Sequence, residues 1–528
     1  MMPQQFLAQG EQLQVPAIDF AAVLPILIVF GAASIGVLLE AFLPKHQRWS
    51  SQIALSLTGI VGAGIALAAY ISDAPEGGIT TFMAQGATTG AIAVDTPALF
   101  LWGTLLALGL ASLLMIGDRS LEPGGAFISQ AGLQSGGLQT REQANVTGMQ
   151  TEIFPLTLFA LGGMMTFVAA NDLLTMFIAL EVLSLPLYLM AGLARRRRLL
   201  SQEAAVKYFL LGAFASAFFL YGVALLYGYA GSVKLAEIAA ATAGSSASDT
   251  LLYAGIGLVV VGLLFKGSVG PFHTWTPDVY QGAPTPVTGF MAACTKVAAF
   301  GGMLRVLTVA FEPASWEWEV PLWLIAVISM AIGAIFGLTQ RDLKRMIAYS
   351  SIAHAGFLVV GAMTLTEDGL SSTLFYLLAY GFTTIAVFGV ISLVRDANGE
   401  ATDLSSWAGL AKRSPLVAGV FTFLLLALAG IPLTSGFIGK FAVFSAALAD
   451  GNAALVVIAL VASAVAAFFY LRVVVLMYFS EPAAEGPAVT VPGAFTTAAI
   501  TLGTAATLVL GIVPAFALNW ASAGGFVP

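Results

Sequence analysis

The chain has 528 residues, of which 59% are hydrophobic and only 9% are charged, and its formal net charge is −7. Soluble domains carry about 25% charged residues, so this composition excludes a soluble globular protein. Nothing in it resembles the basic surface of a nucleic-acid-binding protein, because the charges are few and segregated. The pattern instead indicates an all-α, polytopic protein that lies mostly in a lipid bilayer. With a single cysteine, Cys294, the chain can form no internal disulfide.

Apolar segments long enough to cross a bilayer begin after a polar N-terminal tail (residues 1–18), which lacks the positive n-region of a signal peptide. The segment 414–448 is too long for one straight helix. It contains Gly430, Pro432 and Gly436, so we predict a broken helix there. In all, about 14 transmembrane helices are predicted, at 19–43, 51–72, 94–116, 152–169, 173–194, 202–229, 250–270, 284–309, 321–339, 343–364, 369–394, 414–448, 453–479 and 493–517.

The charges in the loops predict the orientation. If the loop after the first helix is inside and the loops alternate, the inside loops hold 14 basic residues and the outside loops hold only Lys234. This is the bias of the positive-inside rule, and it places both termini outside. The long segment 117–151, rich in Gly, Gln and Ser, is predicted to be a flexible cytoplasmic loop, and 231–250 a second loop on the outside.

Several ionisable residues lie deep within the predicted helices. Lys296 is about 12 residues into its helix, or roughly 18 Å, which is near the middle of a hydrocarbon core about 30 Å thick. Burying a lysine there costs about 2.5–3.5 kcal/mol on insertion scales, so such residues usually serve a function. Glu181 lies about 12 Å into its own helix. The basic residues that remain within the spans are Lys207, Lys266, Lys296, Arg305, Lys440 and Arg472.

These residues also have simpler interpretations. Lys207 lies close to a helix start and could extend its ammonium to the inside surface. Arg305 and Arg472 lie near helix ends, and we interpret both as interfacial anchors. Glu181 could form a structural ion pair. His354, within the tenth predicted helix, is as consistent with a satisfied core histidine as with a proton relay.

The chemistry that these residue types favour is proton transfer. Burial lowers the pKa of a lysine and a nearby carboxylate raises it, so a buried lysine can bind and release a proton near neutral pH. Lys440 lies beside the predicted break, where free carbonyls can bind an ammonium. The sequence contains no nucleophile–base pair, no Cys/His metal spacing and no phosphate-binding glycine loop.

The chain also suggests an internal repeat. Lys266 lies beside Gly267 and Pro271 in the seventh predicted helix, and Lys440 lies near Pro432 in the twelfth. An offset of five helices reverses the topology, so we predict two inverted five-helix repeats with broken helices 7 and 12. The predicted order is helices 1–3 (19–116), the loop, helices 4–8 (152–309), helices 9–13 (321–479) and helix 14 (493–517).

Three motifs resemble a known family: FKGSVGPFHTWTPDVYQGAPTPVTGF, KRMIAYSSIAHAG and LAGIPLTSGFIGKF. They are similar to the antiporter-like membrane subunits of NADH-quinone oxidoreductase, respiratory complex I, and most similar to the subunit N type. The resemblance covers roughly residues 20–517. The M type has a glutamate where GFIGKF carries Lys440, and the L type continues into a long lateral helix.

The resemblance implies a proton-translocating subunit of the complex I membrane arm, which couples NADH:quinone electron transfer in other subunits to proton pumping. It implies that the glutamate of helix 5, here Glu181, pairs with the lysine of helix 7, here Lys266. It also implies a buried polar axis that continues through a central lysine (Lys296), a histidine (His354) and a terminal lysine (Lys440). The lysine of helix 6, here Lys207, has a less defined role.

The resemblance further implies that this chain holds no cofactor, and that NADH, FMN, Fe–S clusters and quinone are bound by partner subunits. The implied partners are M-type and small K- and J-type membrane subunits within a bacterial plasma (inner) membrane. The alternative function is a free-standing monovalent cation/proton antiporter, although buried lysines repel Na⁺. A non-conducting scaffold is disfavoured by the cost of several buried charges.

Overall fold

In a computed structural model of the protein, the described residues are 16–83, 89–121, 126–127, 150–194, 197–244, 249–396, 399–482 and 486–528. Most of the predicted N-terminal tail and of the predicted 117–151 loop lies outside this set. The described chain is predominantly helical, with a few short strands between helices. The predicted all-α, polytopic membrane fold is therefore confirmed.

The helices, numbered in chain order, are α1 (Phe20–Phe42), α2 (Lys45–Asp73), α3 (Thr96–Gly117), α4 (Ile153–Ala169), α5 (Leu173–Ala191), α6 (Arg198–Ala230), α7 (Leu235–Gly244), α8 (Asp249–Lys266), α9 (Trp275–Gly282), α10 (Thr285–Phe290), α11 (Lys296–Arg305), α12 (Ser315–Thr339), α13 (Leu343–Met363), α14 (Glu367–Ile391), α15 (Leu410–Arg413), α16 (Pro415–Ala429), α17 (Ser435–Ala449), α18 (Ala453–Phe479), α19 (Ala494–Ile512) and α20 (Ala515–Ala521). The strands are β1 (Ile79–Thr81), β2 (Ile92–Val94), β3 (Val394–Asp396), β4 (Gly399–Glu400) and β5 (Ala488–Val489).

Each predicted transmembrane segment contains helix in the structure. Among the described residues, 12 helices are long and apolar enough to cross a membrane. The others are shorter: α4 has 17 residues, and α16 and α17 have 15 each. The count of 14 spans and the inverted repeat stay predictions. The loop predicted at 231–250 contains the short helix α7.

Several helices begin where a carboxylate accepts a hydrogen bond from the first turn. Asp95 Oδ1 accepts from the backbone N–H of Ala98 at 3.0 Å, and Asp172 Oδ1 accepts from Thr175 at 2.7 Å. Such N-caps satisfy donors that have no partner within the helix, and each stabilises a helix by about 1 kcal/mol. They explain why α3 and α5 start directly after an aspartate.

The connections fall into two groups, one at each end of the helices. At the predicted outside end, β1 pairs antiparallel with β2, and Asp19 donates its backbone N–H to Thr81 Oγ1 at 2.8 Å. Val527 reaches the same end, where its N–H bonds Asp95 at 3.0 Å. Residues near both ends of the chain therefore lie on one side, as alternation of an even number of spans requires.

At the predicted inside end, β3 pairs antiparallel with both β4 and β5, and so brings the segments after α14 and before α19 together. Asp118, just after α3, accepts from the N–H of Thr496 in α19 at 2.9 Å. Burial raises the pKa of the Asp118 carboxyl, but the hydrogen bonds from Ser120 and Thr496 outweigh it and hold the pKa below its ordinary value. The charged carboxylate thus links α3 to the start of α19.

The eighth predicted helix is not a continuous α-helix. It consists of α10 and α11, which are separated by a π-helical turn at Met291–Thr295, and a second π-helical turn follows at Val306–Ala310. π-turns inside helices insert one residue per turn and often lie at functional sites. The first of them places Lys296 at the start of α11.

Candidate functional site

Four ionisable side chains lie in the interior, within helices from both halves of the chain. Lys266 is 3% exposed, Lys296 is 2%, His354 is 2% and Lys440 is 6%. They come from α8, α11, α13 and α17. All four were predicted as functional residues, and the structure buries all of them.

Lys266 ends α8 inside an aromatic cage. Its Nζ donates to Ser184 Oγ at 2.7 Å and to Tyr208 Oη at 3.1 Å. The ammonium also lies 5.8 Å from the ring centre of Tyr188 and 5.2 Å from that of Tyr208, within the range of cation–π attraction. Trp275 stacks on Tyr208, with the ring centres 4.5 Å apart. The charge is thus held by hydroxyls and ring faces.

Glu181 lies one turn before Ser184 on α5, but it does not bind Lys266 directly. Among the described residues no ion pair within 4.0 Å joins the two, and Glu181 Oε1 is buried without a hydrogen-bond partner. The direct Glu181–Lys266 pair that the resemblance implies is therefore absent. A buried carboxylate oxygen without a partner is costly.

Lys296 is bound by main-chain carbonyls. Its Nζ donates to Gly267 O at 3.1 Å, just beyond the end of α8, and to Ser351 O in α13 at 2.9 Å. Gly267 directly follows Lys266, so the second ammonium binds the backbone next to the first lysine. No carboxylate lies within 4.0 Å of Lys296 Nζ in the described part of the chain.

His354 is held by two tyrosines. Its Nδ1 lies 2.6 Å from Tyr376 Oη, and its Nε2 lies 3.4 Å from Tyr470 Oη. Tyr470 Oη also bonds Ser350 Oγ. Both ring nitrogens therefore face hydroxyls, which can donate or accept according to the tautomer. Such a chain of hydroxyl and imidazole groups can pass a proton in either direction.

Aromatic rings connect His354 to a lysine on each side. Tyr380 lies 5.7 Å from Lys296 Nζ and 5.0 Å from the imidazole. Phe357 lies 5.3 Å from Lys440 Nζ and 5.7 Å from the imidazole. His354 consequently lies between Lys296 and Lys440, and the four side chains form one row, which we call the buried row: Lys266, Lys296, His354 and Lys440.

The predicted break in the 414–448 segment is present between α16 and α17. Gly430 has a φ of +87° and Leu433 has a φ of +69°. The N–H of Gly430 bonds the carbonyls of Leu426 and Ala427, and the N–H of Ile431 also bonds Leu426, each at 3.0 Å. This C-terminal cap satisfies two of the four carbonyls that a helix end leaves free.

Lys440 satisfies the other two. Its Nζ donates to the carbonyls of Leu428 and Ala429, both at 2.9 Å, and to Ser463 Oγ at 3.0 Å. All three N–H donors of the ammonium are used. The break and the lysine are thus one unit, because the helix end that Gly430 terminates supplies the ligands of the charge, as the sequence predicted.

A cavity of about 320 Å³ opens beside Lys440. Its polar lining comprises Lys440, Ser445 and Ser463, and its apolar lining includes Phe441 and Leu448, which are 62% and 55% exposed. The cavity therefore joins the last lysine of the buried row to the outer surface of α17 and α18.

Lys207 lies outside the buried row. Its Nζ bonds Glu203 and Asp278, each at 2.6 Å, and its side chain is 40% exposed. Asp278 also binds Arg345 Nη1 at 2.6 Å, and Arg345 contacts Gln281 at 3.1 Å. Lys207 thus belongs to a charged network at the predicted inside end, which joins α6, α9 and α13.

The same end holds a buried lysine that is one of the 14 basic residues counted in the predicted inside loops. Lys344 is 2% exposed, and its Nζ donates to Ala283 O at 2.8 Å and to Thr285 Oγ1 at 3.1 Å. Glu400 lies 3.8 Å away and accepts from Thr285. The position of Lys344 in the sequence, at the start of a predicted helix, did not indicate that its side chain is buried.

We expect Asp278→Asn to destabilise the protein by about 1 kcal/mol, because a part-exposed ion pair contributes little in water. Asp278 bridges two cations, whereas Glu203 binds one and is 54% exposed. Thermal unfolding of the purified protein should therefore shift more for Asp278→Asn than for the control Glu203→Gln. Equal shifts would show that the bridge to Arg345 contributes nothing.

The interpretation of Arg305 as an interfacial anchor is wrong. Arg305 and Asp95 are both 0% exposed, and Nη1 and Nη2 of Arg305 bond the two oxygens of Asp95 at 2.8 Å each. Nε of Arg305 donates to Val168 O at 2.8 Å, and Phe526 covers the guanidinium at 4.6 Å. Arg472 is exposed and agrees better with an anchor.

Among the described residues, no cluster of three or more His, Cys, Asp or Glu side chains could hold a metal ion. What the arrangement can do chemically follows from its donors and acceptors. Lysine ammoniums, one imidazole and several hydroxyls lie in sequence, and each can bind a proton or donate a hydrogen bond. The sequence did not indicate which of the 13 tyrosines would take part, because nothing separates them from core aromatics.

Comparison with known proteins gives consistent matches. Residues 170–466 match a family model described as NADH:quinone oxidoreductase/Mrp antiporter, TM. The NADH-quinone oxidoreductase subunit N of Saccharopolyspora erythraea is 72% identical over 519 residues, which cover 98% of this chain and 99% of that protein. The subunit N of Salinispora arenicola is 57% identical over 510 residues, covering 95% and 97%.

Chains in solved structures also resemble this chain. A chain in respiratory complex I from Thermus thermophilus with bound aureothin is 33% identical, with a TM-score of 0.74, and the match covers 95% of this chain and 100% of that one. A chain in the Mrp complex from Dietzia sp. DQ12-45-1b has a TM-score of 0.78 and covers 96% and 97%, but at 21% identity it shows the fold alone.

Proposed function

The chain belongs to the family of membrane subunits that NADH:quinone oxidoreductase shares with Mrp antiporters, within its subunit N group, and we propose that the buried row is its proton relay. As such a member, it is a proton-translocating subunit of the complex I membrane arm. It is part of an enzyme complex, and the electron transfer that drives it takes place in other subunits.

The observation that carries the relay is the binding of Lys296 and Lys440 by main-chain carbonyls on either side of His354. A lysine paired to a carboxylate is stabilised in its charged form. A lysine bound by uncharged carbonyls has no such counter-charge, so it can exchange its proton at lower cost. The row therefore offers several exchangeable protons in the order Lys266, Lys296, His354 and Lys440.

In this proposal Glu181 determines whether Lys266, the first lysine of the row, keeps or releases its proton. Its carboxylate is one turn from Ser184, which binds Lys266. A negative charge on Glu181 favours the charged form of Lys266, and neutralising it favours proton release to the row. Water molecules would complete the contacts that side chains do not make.

Lys207 has a different position, and so a different proposed role. Its network of Glu203, Asp278 and Arg345 lies at the predicted inside end and is partly open to solvent. We place Lys207 on the uptake side of the relay, where it orients α9 through Asp278. Its membership in the proton path itself remains a prediction.

The remaining proposals concern the assembly. NADH, FMN, Fe–S clusters and quinone would be bound by partner subunits, and the neighbours of this chain would be M-type and small K- and J-type membrane subunits. The membrane would be the bacterial inner membrane, with both termini outside, as the bias of basic residues predicts. A non-denaturing gel with an NADH-dehydrogenase stain tests the assembly, because a stained band of many subunits would support it.

A free-standing monovalent cation/proton antiporter is not favoured. The likeness to the Mrp chain shows only the fold, whereas the relatives named subunit N match over nearly the whole chain. In the described buried row the charged groups are lysines, which repel cations. Migration as an unstained monomer or dimer, with Na⁺/H⁺ exchange in liposomes, would reverse this choice.

We expect Lys440→Met to lower the number of protons translocated per NADH oxidised. Methionine has a similar length but cannot carry a proton, and the substitution also leaves the carbonyls of Leu428 and Ala429 without their donor. Proton uptake and NADH oxidation would be measured together in vesicles. Lys412→Met, which removes an exposed lysine paired to Glu481, is the control. An unchanged ratio in Lys440→Met would reject the relay.

A further inference from the structure

A groove of about 590 Å³ lies at the predicted inside end, between the turn that joins α12 to α13 and the last turns of α18. It is separate from the buried row and from the Lys440 cavity. Its lining includes two arginines, one from each side, together with polar and apolar residues: Arg341, Asp403, Ser405, Arg472, Leu476 and Ser480.

The two arginines are available to a ligand. Arg472 lies seven residues before the end of α18, or about 10 Å, and its Nη1 donates to Leu338 O at 3.1 Å. The guanidinium of Arg341 is exposed and has no hydrogen-bond or ion-pair partner in the part of the chain that the structure describes. Two guanidiniums that face one groove suit an anion with several oxygens, such as a phosphate.

One carboxylate shares the groove. Asp403 Oδ1 accepts from the N–H of Ser405 at 2.8 Å and from Ser405 Oγ at 2.5 Å. The Asp403 side chain is therefore committed to its own turn, and the groove retains an excess of positive charge.

The groove continues into an apolar surface. On α18, a row of exposed apolar side chains descends from the groove toward the membrane interior: Val475 is 53% exposed, Leu471 is 44% and Phe468 is 66%. Their spacing of three or four residues places them on one face of the helix. An occupant that fits both parts needs an anionic head at the interface and an apolar chain parallel to α18.

We propose that this groove binds the phosphodiester headgroup of a phospholipid, with an acyl chain along the apolar row of α18. Arg341 and Arg472 bind the phosphate oxygens, and the hydroxyl of Ser480 provides a further donor at the rim. A phospholipid has the required head and tail, whereas a free phosphate has no use for the apolar row. The leaflet follows from the predicted orientation and is the cytoplasmic one.

The test uses the intact assembly in nanodiscs of phosphatidylcholine, a fraction of which carries a diazirine in one acyl chain, so that the probe and the bulk lipid have the same headgroup. After illumination, mass spectrometry maps the labelled peptides. We expect labelling within residues 468–480 in the wild-type protein. Arg341→Gln/Arg472→Gln should reduce it about tenfold, because each lost charge-assisted hydrogen bond weakens binding several-fold or more. Lys45→Gln, which removes an exposed charge from the same predicted side, should leave it unchanged.

Three results would overturn the proposal. Absence of labelling in the wild type would show that another occupant, such as a neighbouring subunit, covers the groove. Equal labelling of the double variant would show that the lipid contacts only the apolar row. Displacement of the probe by millimolar inorganic phosphate would show a site for the free anion. The single variant Arg341→Gln, which breaks no described contact, keeps the test valid if the double variant does not assemble.

Discussion

Lys296→Met is expected to stop proton translocation through this subunit, because Lys296 occupies the middle of the buried row. Its ammonium binds Gly267 O, next to Lys266, and Ser351 O, three residues before His354. Methionine at position 296 would remove both hydrogen bonds, and with them the link between Lys266 on one side and His354 on the other. We expect the ratio of protons translocated to NADH oxidised to fall by the whole share of this subunit, and by at least as much as in Lys440→Met.

The measurement is proton uptake by inverted membrane vesicles during NADH oxidation, normalised to the assembled complex. Lys234→Met is the matched control, because Lys234 lies just before α7 at the predicted outside end and pairs with Glu237, which is not a member of the row. A further comparison is Lys296→Arg, which keeps a charge but does not release its proton. A full ratio in either Lys296 variant would show that protons bypass this residue.

Arg305→Met is expected to destabilise the protein by about 3–5 kcal/mol, the usual cost of leaving one member of a buried ion pair uncompensated. Asp95 would lose both bonds from the guanidinium and would keep only the N–H groups of Ala98 and Val527. We expect little assembled protein in membranes, and a lower thermal unfolding temperature for what remains.

Two variants identify the cause. Asp95→Asn/Arg305→Met removes the charge as well as its partner and keeps an N-cap for α3, so it should be more stable than Arg305→Met alone. Arg48→Met breaks a pair with Glu40 that is partly exposed, and Glu40 keeps bonds from Gln52 and Thr151. A loss of at most about 1 kcal/mol is expected there. If Arg305→Met and Arg48→Met behaved alike, burial of the first pair would have no energetic consequence.

Local features of the sequence were enough to single out the lysines of the row. Counting residues from the start of its helix predicts Lys296 near the middle of the membrane, and the Gly430–Gly436 segment predicts the break beside Lys440. These are local properties of the sequence. Glu181 and His354 also stood out by their position within the spans. The resemblance added the direct contact between Glu181 and Lys266, which is not formed.

Other features depend on partners that are distant in the sequence. Arg305 lies near a helix end, which suggested an anchor, but its partner Asp95 is 210 residues away and only folding brings them together. The π-helical turn before Lys296 has no periodicity of its own in an apolar segment. Tyr376 and Tyr470 reach His354 from two different helices, and no pattern distinguishes them from packing aromatics.

The main-chain ligands of Lys296 and Lys440 have a genetic consequence. A carbonyl cannot be removed by substitution, so positions 351, 428 and 429 should tolerate exchange of their side chains better than the lysines themselves, whereas a Cβ at Gly267 would lie 3.2 Å from the ring of Phe300. Gly430 is different, because a Cβ there would lie 3.0 Å from Cδ and 3.2 Å from Nζ of Lys440, at a φ of +87°. In a saturation-mutagenesis library selected on growth, the lysines and Gly430 would therefore be intolerant of substitution. Most of the residues that supply the carbonyl ligands would tolerate substitution, so the selection would not identify them.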